Sequence, residues 1–240
     1  MTIAGIQKSS LIDYPGKISC VLFTQGCNYD CFYCHNRALI DRSVVHECGT
    51  VGKRPTVPYG PILKMEAITE FLIRRVGYLQ AVVISGGEPT IHEDLQDLFS
   101  LIKSIGYVTK LDTNGSNPMM ISELISRHLV DYIAVDVKAP WDLYRSICGV
   151  NADGESVHET LQLLTRSHIR WEARTTVCPS LTRQDVRTIA TYIPTNIVWR
   201  WNEYRVPAQY RHEDADLIFT EPCWHAGEST DFCRKSRGTS

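Results

Sequence analysis

Three cysteines stand close together in Thr24-Gln-Gly-Cys27-Asn-Tyr-Asp-Cys31-Phe-Tyr-Cys34-His-Asn36, with three residues in the first gap and two in the second. Thiolates are soft ligands, and this number at this spacing suits an iron–sulfur cluster or zinc. A structural zinc site normally takes four protein ligands. His35 could be the fourth, but it adjoins Cys34 and would strain a tetrahedron. A four-iron cluster held by Cys27, Cys31 and Cys34 instead leaves one iron open to a substrate or cofactor, and the count favours that reading. The apolar run Val21-Leu-Phe23 just ahead reads as a buried strand, which puts the cysteines on a loop at its end.

Four more constellations fall where strands should end. Ser85-Gly-Gly-Glu-Pro-Thr90 contains Gly86, Gly87, Glu88 and Pro89; two glycines let a backbone approach a ligand closely, or they make a tight strand-to-helix turn. Leu111-Asp-Thr-Asn-Gly115 places Asp112 and Thr113 after a further strand, and Val135-Asp-Val-Lys-Ala-Pro140 places Asp136 and Lys138 after the next. Charges at the ends of buried strands need partners. Asp136 and Lys138, two apart, share a face and can pair with each other. In Arg170-Trp-Glu-Ala-Arg-Thr-Thr-Val177, alternation puts Glu172, Arg174 and Thr176 on one face, which lines either a pocket or an outward salt-bridged surface.

The elements that must position these groups follow one pattern. Strands are expected at Ser19–Thr24, Ala81–Ser85, Val108–Asp112, Tyr132–Val137, Ile169–Val177 and Ile197–Trp201. Helical spacing of apolar residues appears at Met65–Tyr78, Leu95–Ile105, Met119–Leu129, Val157–His168 and Gln184–Ile193, the last with Thr182 and Asp185 as capping candidates. Strands alternating with helices predict an α/β fold with a parallel sheet and right-handed crossovers. In such folds the chemistry sits at the carboxyl ends of the strands. Residues 1–18 read as a short hairpin or cap with a turn at Asp13-Tyr-Pro-Gly16, residues 41–64 as a long loop, and the aromatic last strand, Val198-Trp-Arg-Trp-Asn-Glu-Tyr204, as core with one ring free to stack on a ligand.

The 240 residues fit one large domain over 1–206 followed by a tail, 207–240. With 43% hydrophobic and 22% charged residues the chain is neither disordered nor membrane-like, and its net charge of −2 argues against a nucleic-acid partner. No apolar run approaches a membrane span, and without a positively charged head and apolar stretch at its start a secretory signal is not expected. Nine cysteines, an odd number, suit a reducing cytoplasm better than a disulfide scaffold. Cys20, Cys148 and Cys178 are expected as small core residues. Cys223, His225 and Cys233, with Cys48, are a weak candidate for a further metal site. The His-Glu pairs lack the second His of a zinc-protease helix, Gly49–Lys53 is too short for a phosphate loop, and no nucleophile elbow occurs.

Cys-x3-Cys-x2-Cys with Tyr33 before the last cysteine resembles the signature of the radical S-adenosylmethionine (SAM) enzymes. Gly5-Ile-Gln-Lys-Ser-Ser-Leu-Ile-Asp-Tyr-Pro-Gly-Lys17, Thr24-Gln-Gly-Cys27 and Cys34-His-Asn36 are similar to the activating proteins of anaerobic ribonucleoside-triphosphate reductase, with pyruvate formate-lyase activating enzymes as near relatives. The resemblance runs from residue 3 to about residue 206. It implies a partial (β/α)6 barrel open on one side, a [4Fe-4S] cluster on Cys27, Cys31 and Cys34, and S-adenosylmethionine chelated by the open iron. It further implies Tyr33 and Gly86–Pro89 at the cofactor, Lys138 near its carboxylate, and Asp112 (with Thr113) and Asp136 near the cofactor or a bound monovalent cation; Arg174 joins this cofactor set only if the alternating face of its strand lines the pocket. The implied reaction is one-electron cleavage of S-adenosylmethionine, after which a hydrogen atom leaves a glycine of the reductase; a flavodoxin or ferredoxin is the implied electron donor. Another glycyl-radical enzyme, a small-molecule substrate, or a non-catalytic zinc or electron-transfer module are the alternatives, but the last gives the Gly-Gly-Glu-Pro and Asp-x-Lys stretches nothing to do.

Overall fold

A computed structural model describes residues 1–40 and 63–206. The long loop expected at 41–64 lies outside these residues except for its end, as do Cys48 and the tail with Cys223, His225 and Cys233. The seven strands run in sheet order as they run in sequence: β1 (Ile3–Ser10), β2 (Ser19–Thr24), β3 (Ala81–Gly86), β4 (Val108–Thr113), β5 (Tyr132–Asp136), β6 (Arg170–Val177) and β7 (Val198–Glu203). β1 is antiparallel to β2, whereas β2–β3, β3–β4 and β6–β7 are parallel. The order has two ends, so the sheet is an open one. The six expected strands are β2–β7; the polar-looking N-terminal stretch adds a seventh. β1 escaped the sequence reading because Gln7, Lys8 and Ser9 are exposed on an edge strand and break the apolar alternation.

The helices are α1 (Arg37–Ile40), α2 (Met65–Arg74), α3 (Leu95–Ile105), α4 (Pro118–Ser126), α5 (Tyr144–Cys148), α6 (Gly154–Arg166) and α7 (Arg183–Tyr192). In α3 the buried residues Leu95, Leu98, Phe99 and Ile102 recur at helical spacing, which fixes its inward face. α7 opens with the expected capping box: Thr182 accepts from the Asp185 amide, and the Asp185 carboxylate accepts from Thr182. The sequence reading missed α5, a short helix without a full period.

The chain divides into two compact units that interleave in sequence. One comprises Met1–Asn28, Asn36–Thr113 and Met119–Ile133; the other comprises Tyr29–His35, Asn114–Pro118 and residues from Ala134 onward. In the first unit Tyr14, Val21, Ala81, Val83 and Tyr132 form an apolar cluster, so the Asp13-Tyr-Pro-Gly16 turn inserts its tyrosine into the core. Lys17 N donates to Tyr14 O, which closes a turn over Tyr14–Lys17, one residue beyond the expected one. In the second unit Trp141 stacks on Tyr192 with centroids 4.0 Å apart and lies edge-on to His158.

Candidate active site

In the first unit, Cys27 follows the end of β2, and the backbone there is held from two sides. Gly26 N donates to Leu39 O, and Glu88 N donates to Gly26 O (2.8 Å). The two glycines of the Gly-Gly-Glu-Pro stretch make this possible. A Cβ on Gly87 would lie 1.9 Å from Gly26 O, and one on Gly86 (φ +119°) 2.4 Å from Thr24 N. The close approach they permit in this structure is between two pieces of backbone. Asn36 Nδ2 also donates to Gly86 O (3.3 Å), so the Cys34-His-Asn36 word ties α1's leading turn to the end of β3.

Glu88 is fully buried. Its Oε1 accepts from Thr90 N (3.1 Å), Thr90 Oγ1 (2.6 Å) and Thr113 Oγ1 (2.7 Å), and so caps the 3-10 turn Pro89–Ile91 and joins the ends of β3 and β4. Asp112, next to Thr113, has its Oδ1 3.1 Å from Lys110 Nζ. Lys110 is a buried charge that the sequence reading passed over. Its signal was present: a lysine two residues from an aspartate on one strand, the spacing noticed at Asp136 and Lys138 but in reverse order.

In the second unit, Cys31 and Tyr33 are buried and Cys34 is half-buried, with Cys34 N donating to Cys31 O (3.0 Å). Asp30 N donates to Cys148 O (2.8 Å), which packs the loop against the end of α5. The Cys148 thiol beside Cys31 outweighs burial and draws the Cys31 thiol below its ordinary value, while Cys31 and burial push Cys148 up. Cys20, Cys148 and Cys178 are buried as expected, but Cys148 is more than filler because it partners Cys31.

Lys138 and Arg174 converge on Asp136: Lys138 Nζ lies 3.1 Å from Oδ2 and Arg174 Nε 2.9 Å from Oδ1. The pairing of Asp136 with Lys138 is thus real, and Arg174 of β6 joins it. Burial alone would raise the Asp136 carboxyl, but the two cations outweigh it and hold it at about 2. Burial alone would lower the Lys138 ammonium, but Asp136 outweighs it and raises it. Glu172, two residues before Arg174, instead pairs with Arg200 at 2.7 Å, so the expected Glu172–Arg174 face divides between two ion pairs. In β7, Trp199 Nε1 donates to Thr175 Oγ1 (2.9 Å) and its ring meets Trp201 edge-on, which makes Trp199 core.

Among the described residues, no three His, Cys, Asp or Glu side chains are already gathered as a metal site, and the cysteines there are thiols, not disulfides. Two observations in the second unit nonetheless fit a polar cofactor beside Cys31. The Tyr33 hydroxyl is buried without a hydrogen-bond partner. The Lys138 ammonium, which has three donors, gives one to Asp136. Both groups feel the charge of Cys31, which places them around it. His35 is exposed, so a zinc tetrahedron closed within the loop gains nothing from burial there. A surface depression of about 590 Å³ along α2, lined by Met65, Glu66, Thr69, Glu70, Ile73 and Arg74, carries none of this chemistry.

A family profile of the radical SAM superfamily matches residues 21–193, and the chain belongs to that superfamily. Within it the chain belongs to the glycyl-radical enzyme activating enzymes. It is 34% identical over 196 residues, 78% of this chain and 73% of the relative, to a protein of Methanocaldococcus jannaschii whose name assigns it to that group. It is 31% identical to the pyruvate formate-lyase 1-activating enzyme of Escherichia coli K12, over 76% of this chain and 70% of the relative. Among solved structures, Streptococcus suis SuiB superposes with a TM-score of 0.58 at 13% identity, covering 82% of this chain and 43% of that one. AnSMEcpe with bound AdoMet superposes with a TM-score of 0.57 at 15% identity, covering 77% and 50%. This chain thus spans half or less of the length of these two structures, and they bear on the fold alone. The family implies a [4Fe-4S] cluster, S-adenosylmethionine and a glycyl-radical protein as substrate. No helix among the described residues is long and apolar enough to cross a membrane.

Proposed function

We propose that the chain activates an anaerobic ribonucleoside-triphosphate reductase by removing a hydrogen atom from a glycine of that protein. The observation that carries the chemistry is the grouping around Cys31: a thiol with a lowered pKa, an unsatisfied Tyr33 hydroxyl and an ammonium with donors to spare. Cys27, Cys31 and Cys34 are the residues to hold the cluster. Lys138 presents its remaining donors to the carboxylate of the cofactor; Asp136 keeps that lysine charged, and Arg174 holds the other oxygen of Asp136. The resemblance assigns Glu88, Asp112 and Thr113, at the ends of β3 and β4, to the cofactor as well. When bound, the cluster and S-adenosylmethionine supply the one-electron chemistry that makes a hydrogen-abstracting radical, which is the cofactors' own chemistry. The protein contributes orientation and the exclusion of water. A flavodoxin or ferredoxin is the electron source in this reading. A monovalent cation near Asp112 or Asp136 belongs to the same reading.

The choice of reductase rests on the Gly5–Lys17, Thr24–Cys27 and Cys34–Asn36 words. A second reading, activation of pyruvate formate-lyase, is favoured by the names of the Escherichia coli and Clostridium pasteurianum relatives. The test is anaerobic mixing of the reconstituted, reduced protein with S-adenosylmethionine and each partner. The cognate reductase should develop a glycyl-radical doublet in the electron paramagnetic resonance spectrum. An α-deuterated glycine in it should deliver deuterium to 5′-deoxyadenosine. Activation of pyruvate formate-lyase alone overturns the choice of reductase. Turnover of a small molecule with neither protein activated overturns the reading of the target.

A further inference from the structure

Lys110 sits at the middle of β4, opposite Val83 of β3, which in turn lies opposite Val21 of β2. Residues paired across a sheet share a face, so Lys110 projects into the layer formed by Tyr14, Val21, Ala81, Val83 and Tyr132. Every one of those side chains is dominated by apolar surface, and an aliphatic residue would suit the position. A charge there is expensive to desolvate, and replacing a buried ion pair by apolar residues is often neutral or stabilising. Stability is therefore a poor reason for a lysine at this place.

Its contacts supply a better one. Nζ donates to the backbone oxygen of Asp13 (2.6 Å), lies 3.1 Å from Asp112 Oδ1, and stands 5.7 Å from the centre of the Tyr132 ring. The lysine side chain is 3% exposed and the aspartate side chain 10%. The ammonium thus connects the Asp13–Lys17 turn, anchored by Tyr14 in the core, to the carboxylate at the cofactor end of the same strand. We propose that Lys110 is a positioning residue: it fixes the Asp112 carboxylate for S-adenosylmethionine by anchoring it to the N-terminal turn. The Asp13 carbonyl supplies the fixed side of this link, because Asp13 adjoins the turn closed from Lys17 N to Tyr14 O, and the buried Tyr14 ring anchors that turn in the core. Thr113, bonded to Glu88, restrains the neighbouring residue from the side of β3. The inference rests on the S-adenosylmethionine reading above, and the experiment separates the two.

The test measures S-adenosylmethionine affinity of the cluster-reconstituted protein by equilibrium dialysis, together with the melting temperature and amide exchange at Lys17. Lys110→Met should weaken binding about tenfold, the scale of coupling within one polar network. Asp112→Asn should weaken it comparably, and the double variant should bind no worse than Asp112→Asn alone, since Lys110 acts through that carboxylate. Lys110→Gln keeps a donor for the Asp13 carbonyl without the charge. It should protect the Lys17 amide as the parent does and still lose affinity, and it serves in place of the Met variant if that one does not fold. Unchanged affinity in Lys110→Gln, or additive losses in the double variant, overturns the proposal while leaving the function intact. A parent protein that holds its cluster but fails to bind S-adenosylmethionine overturns the function itself, and the positioning role with it.

Discussion

Asp136 is the residue whose surroundings most constrain its charge. Two cations hold its carboxyl at about 2, below the ordinary 3.8. A depressed carboxyl stabilises the fold fully above its unfolded value and loses that contribution as pH falls through the folded one. The expected window therefore runs from about pH 4 down to about pH 2. Asp136→Asn should lower the urea midpoint at neutral pH, and its difference from the parent should shrink across that window and vanish below it. A difference constant from pH 6 to pH 2 would mean that the carboxylate charge contributes nothing to the folded state. Cys148 teaches a related point: a thiol that composition marks as core filler draws the neighbouring Cys31 below its ordinary value.

At the scale of elements, the decisive join is between the end of β2 and the turn after β3. Gly87 has no space for a side chain, because the obstacle at 1.9 Å is the backbone oxygen of Gly26 and not a movable side chain. Gly87→Ala should separate the two segments and destabilise the first unit by roughly 1–3 kcal/mol, the range for overpacking in a dense region. The same displacement moves Cys27, one residue from Gly26, so the variant should also retain less iron after reconstitution. Melting temperature and iron analysis on one sample check both parts. A variant with parental stability and parental iron would show that the turn accommodates the methyl group and that the backbone contact does not set the cysteine's position.

For the molecule as a whole, the sheet and the cysteine loop are separable. The core is carried by apolar sheet residues such as Leu22, Val82, Val83, Ile84, Leu111 and Val135, none of which belongs to the cysteine loop. Changing Cys27, Cys31 and Cys34 together to Ala should therefore abolish the cluster, expected at about four iron atoms per chain, while the far-ultraviolet circular dichroism spectrum keeps its α/β form. Loss of secondary structure with the iron would make the cluster part of the fold's own stability, as in small zinc domains. Retention of full iron would remove these cysteines from the cluster.

The sequence by itself determined the alternation of six strands and their helices, because apolar period is a local property that each segment carries alone. It determined the cysteine spacing and the polar groups after β3, β4 and β5 for the same reason. It also placed the α7 cap, where Thr182 and Asp185 interact within one turn. Only the tertiary structure decided what those groups meet. The glycines of Gly-Gly-Glu-Pro answer to the backbone of Thr24 and Gly26, some sixty residues earlier in the chain. Lys110 answers to Asp13, Cys31 to Cys148, and Asp136 to Arg174 as well as to its neighbour Lys138. Apart from Lys138, these partners are far apart in sequence and are brought together by the packing of strands, turns and helices. A pattern read along the chain has no term for such packing, and it is the packing that turns a buried charge or thiol into part of a site.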